Sequence, residues 1–230
     1  MSKALFVTGT GTDTGKTYIT GLIVKKLQEA KKNPAYYKAA MSGNDRRPDG
    51  TLIPGDALAV QTMSGIDQSL ASMCSYVYEH AYSPHLASRL EGNPVVMDVV
   101  THGFADVTAV YDYVTVEGSG GILCPICFDE ARIQLEDVVK ELHLSSILIA
   151  DAGLGTINSV VLTAEYMKTH GLPLKGIIFN HYHPGDVMED DNIFMCEHMT
   201  GLPTLAKVQD GDTELDMNID ALCALYDEVK

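Results

Sequence analysis

Short apolar runs alternate with longer stretches of helical periodicity along most of this chain. Residues 4–8 (Ala, Leu, Phe, Val, Thr) read as a strand, and residues 16–31 as a helix with Ile19, Leu22, Ile23 and Leu27 at helical spacing. Residues 35–40 read as a second strand, and residues 41–55, rich in Gly, Asn, Asp, Arg and Pro, as a loop. The pattern further predicts helices over 56–63, 84–91, 97–111, 135–142 and 157–170, and strands over 113–116, 146–150 and 174–179. No internal repeat or low-complexity linker divides them, so one domain is expected over residues 1–230. Strands that are apolar on both sides must be covered on both faces. The expected fold is therefore α/β, a mostly parallel central sheet with helices on both faces.

Ligands bind such sheets beyond the carboxyl ends of the strands. Four loops leave those ends, at 9–15, 41–55, 117–125 and 151–158, and each is rich in Gly, Ser, Thr, Asp or Asn. One site built from all four is the economical expectation. The first loop, Gly9-Thr10-Gly11-Thr12-Asp13-Thr14-Gly15-Lys16-Thr17, lies between a strand and a helix. Glycines there let backbone N–H groups turn inward around phosphate oxygens, and the helix adds its positive N-terminal end. Lys16 can reach the terminal phosphates and the Thr17 hydroxyl can ligate Mg²⁺. The spacing differs from the usual phosphate-loop pattern, because Gly9 lies one residue further back and position 10 is Thr. An ordinary glycine turn opening a helix is the alternative, and the strand-before, helix-after context argues against it.

Mg²⁺ is a hard ion that takes one or two protein carboxylates beside phosphate and water. Glu117 follows the strand at 113–116 and precedes Gly118-Ser119-Gly120-Gly121, where a nucleotide-bound metal would lie. Asp56 starts a helix after a Gly-containing loop, so a helix cap competes with a metal role. Asp151 ends its own strand and is a further candidate, with a cap or turn as its alternative. Lys38 stands in an otherwise apolar strand. Lysine is seldom buried unpaired, so this is either a functional cation or an edge-strand residue pointing to solvent.

Charge narrows the partners. The chain has 16 Lys+Arg against 31 Asp+Glu, a net charge of −15, which leaves no basic footprint for nucleic acid or an anionic membrane. No apolar run is long enough for a membrane span, and the N-terminus lacks the plan of a signal peptide. Five cysteines in a chain of this length do not suggest a disulfide scaffold, so a cytoplasmic location is expected. Cys124 and Cys127 have redox or metal spacing, but a lone pair of cysteines cannot complete a four-ligand zinc site. His181, His183 and His198 are expected in surface positions rather than on a metal, His85 packing or capping a helix rather than acting as a base, and the acidic run at 189–191 on a solvated face.

Taken together these residues resemble the dethiobiotin synthetase family, over about residues 3 to 210. The marks are Val7-Thr8-Gly9-Thr10 through Gly15-Lys16-Thr17, Tyr37-Lys38 with Ser42-Gly43, Asp56-Ala57-Leu58 and Ser83-Pro84-His85-Leu86-Ala87. Val116-Glu117-Gly118-Ser119-Gly120-Gly121 with Pro125, then Leu154-Gly155-Thr156-Ile157-Asn158 and Leu162-Thr163, complete them. The resemblance implies a P-loop NTPase-like fold. It also implies an enzyme that joins 7,8-diaminopelargonate, CO₂ and ATP into a cyclic urea with Mg²⁺. Gly11, Thr12, Asp13, Thr14, Gly15, Lys16 and Thr17 would wrap the ATP phosphates, and Gly118, Ser119 and Gly120 would add nucleotide contacts. Thr17, Asp56 and Glu117 would hold Mg²⁺. Lys38 would be the catalytic lysine, with Lys16 beside it, and Asn180 would read the adenine. Ser42 and Thr12 would touch the substrate. Its carboxylate would rest on amides of Gly155, Thr156, Ile157 and Asn158 near the interface of a homodimer. The chain departs from the family pattern at Thr14, at Ala39 and at Val208-Gln209-Asp210.

Two other readings share the sheet and loop. A partition or septum-positioning ATPase would carry an extra lysine early in the phosphate loop, where this chain has Thr10 and Gly11. An amide-forming ligase of the cobyrinate type would normally carry a glutaminase domain as well, for which 230 residues leave no room.

Overall fold

A computed structural model describes residues 1–129 and 131–229 of the chain. The elements run β1 (Lys3–Gly9), α1 (Lys16–Glu29), β2 (Pro34–Met41), α2 (Gly55–Ser64), β3 (Cys74–Val77), α3 (Pro84–Leu90), α4 (Met97–Thr108) and β4 (Tyr113–Gly121). There follow β5 (Pro125–Phe128), β6 (Arg132–Gln134), α5 (Leu135–Glu141), β7 (Ser146–Asp151), α6 (Thr156–Thr169) and β8 (Leu174–Asn180). The chain ends through α7 (Val187–Thr200), β9 (Thr204–Lys207), α8 (Ile219–Cys223) and β10 (Asp227–Glu228).

The central sheet has the order β3-β2-β4-β1-β7-β8-β9, and all the pairings along that path are parallel. β10 adds an antiparallel pairing at the start of β1, while β5 and β6 form a separate hairpin. Alternate strand residues face opposite layers, as a pleated strand requires. Phe6, Tyr37 and Val116 pack with Phe104, Leu135 and Val138 on the side of α4 and α5. Leu5 and Val7 pack with Ile19, Leu22 and Ile23 of α1 on the other side. Helices therefore cover both faces, as the uninterrupted apolar strands predict.

Two features differ from expectation, and one open alternative is decided. β4 continues through the glycines to Gly121, so Glu117 lies within the strand rather than after it. Gly121 pairs with Gly9 of β1, and this neighbour holds the glycine segment extended. The acidic run at 189–191 sits in the first turns of α7, capped by the Asp186 side chain, where negative charge complements the helix N-terminus. Glu189 is buried there and accepts from the His183 backbone N–H at 2.6 Å, so this residue is not on a solvated face. Finally, β2 lies between β3 and β4, which rules out an edge-strand Lys38.

Candidate active site

Strand register brings the chemistry together. Lys38 of β2 stands directly opposite Glu117 of β4, so both side chains project to the same face beside α1 and α2. Lys38 is 4% exposed and Glu117 1%. The Lys38 ammonium donates to Glu117 Oε1 and to Asp56 Oδ2, each at 2.7 Å. Thr17, in the first turn of α1, donates to the same Glu117 Oε1 at 2.9 Å. Tyr36 lies two residues before Lys38, on the same face of β2, and its hydroxyl donates to Glu117 Oε2 at 3.2 Å. The Tyr36 peptide is in turn clasped by Gln68, whose side chain accepts from its N–H at 2.8 Å and donates to its carbonyl at 3.0 Å. Neither Tyr36 nor Gln68 was signalled by the sequence pattern.

Burial by itself would lower the Lys38 pKa; the Glu117 and Asp56 carboxylates outweigh it, and the net shift is upward. Lys16 shifts the other way, lowered first by burial and then by the nearby Lys38 charge. Its ammonium folds back to donate to the Gly11 carbonyl at 2.7 Å. Asp56 is the second residue of α2 and the N-cap position belongs to Pro54, so the helix-cap alternative for Asp56 does not hold.

These groups border a cavity of about 640 Å³ at the carboxyl ends of the strands. Of the residues singled out by sequence, Thr12, Asp13, Gly15, Lys16, Thr17, Lys38, Ser42, Asp56, Glu117, Ser119 and Gly120 line it. Tyr82, Ser83 and Cys124, to which the sequence reading gave no role, line it too. Ser42 donates to the Tyr82 carbonyl at 2.6 Å, and Ser119 to the Ala40 carbonyl at 2.6 Å. Cys124 has its thiol pKa raised by burial, whereas Cys127 is buried away from the cavity lining.

The remaining candidates stand elsewhere. Gly11 and Thr14 belong to the phosphate loop without lining the cavity. Gly118 packs against Phe6 and Leu135, since a Cβ there would lie 2.9 Å and 2.7 Å from their side chains. Asn180 ends β8 against the phosphate loop. Its amide donates to the Thr14 carbonyl at 3.2 Å, and a Cβ on Gly15 would meet it at 2.1 Å. Gly155, Thr156, Ile157 and Asn158 open α6 outside the cavity, next to Leu154, which is 90% exposed. Asp151 accepts from the Gly153 N–H at 2.7 Å and faces His181, so it acts as a turn residue rather than joining the Glu117 cluster. His85 lies at the start of α3, its Nδ1 2.9 Å from Ser83 Oγ.

A family model described as an AAA domain matches residues 3–213. The ATP-dependent dethiobiotin synthetase BioD of Brachyspira hyodysenteriae is 47% identical over 224 residues, covering 96% of this chain and 99% of the relative. The enzyme of the same name from Clostridium botulinum strain Loch Maree is 42% identical over 229 residues, with both chains covered in full. This chain belongs to the dethiobiotin synthetase family.

Among solved structures, the MinC:MinD cell division complex of Aquifex aeolicus matches at a TM-score of 0.57 and 11% identity, over 96% of this chain and 85% of that one. A ParA family ATPase from Chlorobium tepidum matches at 0.52 and 14% identity, over 92% and 84%. At such identities the likeness concerns the fold alone, which these synthetases share with P-loop ATPases. It accounts for the sheet-and-loop pattern that the partition-ATPase reading also fitted.

The oxygen set around Glu117 fits a hard divalent cation. Thr17, Asp56 and Glu117 offer only oxygen donors, and the two carboxylates carry one negative charge beyond what Lys38 offsets. Among the described residues no cluster of three or more His, Cys, Asp and Glu offers a softer site. No described helix is long and apolar enough to cross a membrane.

Proposed function

We propose that this chain, like the synthetases it is related to, forms dethiobiotin from 7,8-diaminopelargonate, CO₂ and ATP, as a cytoplasmic homodimer. The observation that carries the reading is the buried Lys38–Glu117 pair at the mouth of a phosphate loop, in a chain of that family. One amine of the substrate captures CO₂ as a carbamate. The carbamate oxygen attacks the terminal phosphorus of ATP, ADP leaves, and the second amine closes the ring with loss of phosphate. Two anions meet in the second step, so the demand on the protein is positive charge fixed in advance. Lys38 would supply part of it once a divalent cation offsets Glu117 and Asp56, and Lys16 and the loop amides of residues 11–17 would face the phosphates. Holding both reactants in one cavity favours closure of a five-membered ring by proximity. No nucleophilic Ser or Cys is required.

Thr17, Asp56 and Glu117 would hold Mg²⁺, which supplies charge neutralisation to the phosphates when bound. Ser42 and Thr12 border the same cavity and are assigned to the substrate. Amides at Gly155, Thr156, Ile157 and Asn158 would serve the substrate carboxylate of a neighbouring subunit. Exposed Leu154 and Leu162 flank them as apolar surface for a second copy to cover. The test is the co-substrate dependence of ADP formation by the purified protein. ADP should appear only when the diamine and bicarbonate are both supplied. Equal hydrolysis without the diamine would instead favour a nucleotide switch.

A further inference from the structure

Asp151, His181 and Asn180 form a chain of side-chain contacts beside the phosphate loop that the reaction itself does not use. Asp151 and Asn180 are register partners at the carboxyl ends of β7 and β8. Asp151 Oδ1 accepts from the Gly153 N–H at 2.7 Å, and Oδ2 faces His181 Nδ1 at 2.8 Å. Asn180 Nδ2 stands 3.2 Å from the Thr14 carbonyl oxygen and 3.2 Å from His181 Nε2. Asp210 Oδ1 lies 3.8 Å from that same Nε2, outside hydrogen-bond reach, and its side chain is 73% exposed.

The donor and acceptor roles follow by elimination. A carboxylate can only accept, so the tautomer that serves Asp151 carries its proton on Nδ1 and leaves Nε2 as an acceptor. The Thr14 carbonyl can also only accept. Both neighbours therefore require a donor from Asn180, and the amide is fixed with its NH₂ toward them and its oxygen turned away. A flipped amide would set its oxygen against two acceptors. Asn180 is 2% exposed, and among the described residues its Oδ1 has no hydrogen-bond partner. It is an acceptor left free.

We propose that Asp151 and His181 are positioning residues that set the polarity of the Asn180 amide and so select nucleotides whose base offers an amino group. The inference rests on the reading of Asn180 as the base-contacting residue. An oxygen so fixed would accept from the 6-amino group of adenine, and would meet the 6-keto oxygen of hypoxanthine lone pair against lone pair.

ATP and ITP differ only at that edge of the base, so the ratio of their kcat/KM values reads the polarity directly. In Asp151→Asn the Gly153 N–H keeps the carbonyl end, which turns the new NH₂ toward Nδ1. The histidine proton then moves to Nε2, where it opposes Asn180. The ATP-over-ITP preference should fall by roughly tenfold, the worth of one mis-set hydrogen bond, with the loss in KM for ATP rather than in kcat. His181→Leu should lose preference similarly, while His181→Gln, whose oxygen can accept from Asn180, should keep more of it. Both nucleotides are assayed on one preparation, so any loss of folded protein cancels in the ratio. If Asp151→Asn and His181→Leu keep the wild-type preference while Asn180→Ala loses it, the base contact stands and the positioning role is overturned. If Asn180→Ala also keeps the preference, the base contact itself fails and the inference with it.

Discussion

Replacing Lys38 with Met keeps the length of the side chain and removes its charge. The consequence can be worked from four distances. Lys38 Nζ lies 2.7 Å from both Glu117 Oε1 and Asp56 Oδ2. Without it, Glu117 retains only the hydroxyls of Thr17 at 2.9 Å and Tyr36 at 3.2 Å. Removing one partner of a buried ion pair costs roughly 3–5 kcal/mol. The Asp56 side chain is 37% exposed and rehydrates, which places Lys38→Met near the lower end, about 3 kcal/mol. Turnover should fall separately, by roughly 10²–10³, the usual loss on removing one preorganised donor from an oxyanionic transition state. Adding Glu117→Gln parts the two effects. The double variant buries no unpaired charge, and the carbonyl of the introduced amide can still accept from Thr17 or Tyr36. It should recover most of the lost stability and none of the activity. Urea denaturation measures the first and diamine-dependent ADP formation the second. A double variant no more stable than Lys38→Met would refute the claim that Lys38 neutralises Glu117, and wild-type turnover by Lys38→Met would remove the lysine from the chemistry.

The same pair sets a pH dependence of definite sign. The folded-state pKa of Lys38 is raised above its unfolded value. Its stabilising contribution is therefore complete below the ordinary lysine pKa of about 10.4, and is lost as pH climbs through the higher folded value. The gap in stability between wild type and Lys38→Met should stay level from about pH 7 to about pH 9 and narrow only in strongly alkaline solution. A gap that closes between those neutral and mildly alkaline values would contradict the assignment.

Three further changes test the surroundings of the pair. Tyr36→Phe removes the hydroxyl from Glu117 Oε2 without opening a cavity, and should raise the Mg²⁺ concentration needed for half-maximal activity several-fold, about 1 kcal/mol for one hydrogen bond, as read by Mg²⁺ titration. Gln68→Ala strips both hydrogen bonds from the buried Tyr36 peptide and should destabilise the fold by roughly 2–3 kcal/mol in urea denaturation. Gly15→Ala places a Cβ at φ 80 and 2.1 Å from Asn180 Nδ2, so calorimetry should show nucleotide affinity reduced by at least about tenfold as the loop shifts to accommodate it.

How far the sequence could be read followed the range of the interactions. The phosphate loop was legible because its glycines, lysine and threonine act within one strand–turn–helix unit. β3, β9 and β10 were not, since each is four residues or fewer and held by neighbours distant in sequence. The end of β4 was misread for a related reason. Gly118-Ser119-Gly120-Gly121 has the composition of a turn, yet pairing with β1 holds it extended and the Phe6 and Leu135 side chains leave room only for glycine at 118. For Asp56 a helix cap competed with a metal role because only its own helix was in view; its partner is Lys38, 18 residues earlier. Gln68 and Tyr36 carried no local signal at all, 32 residues apart and each unremarkable in composition. Lys38 was the exception: a non-local feature that announced itself. A lysine in a strand apolar on both faces must meet a carboxylate or leave the core, so its presence predicts an acid on an adjoining strand at the same height. Glu117 occupies that position, directly opposite across β2 and β4. The partner of a misfit charge can thus be sought by register before any coordinates exist, whereas hydrogen bonds between residues that fit their local pattern cannot.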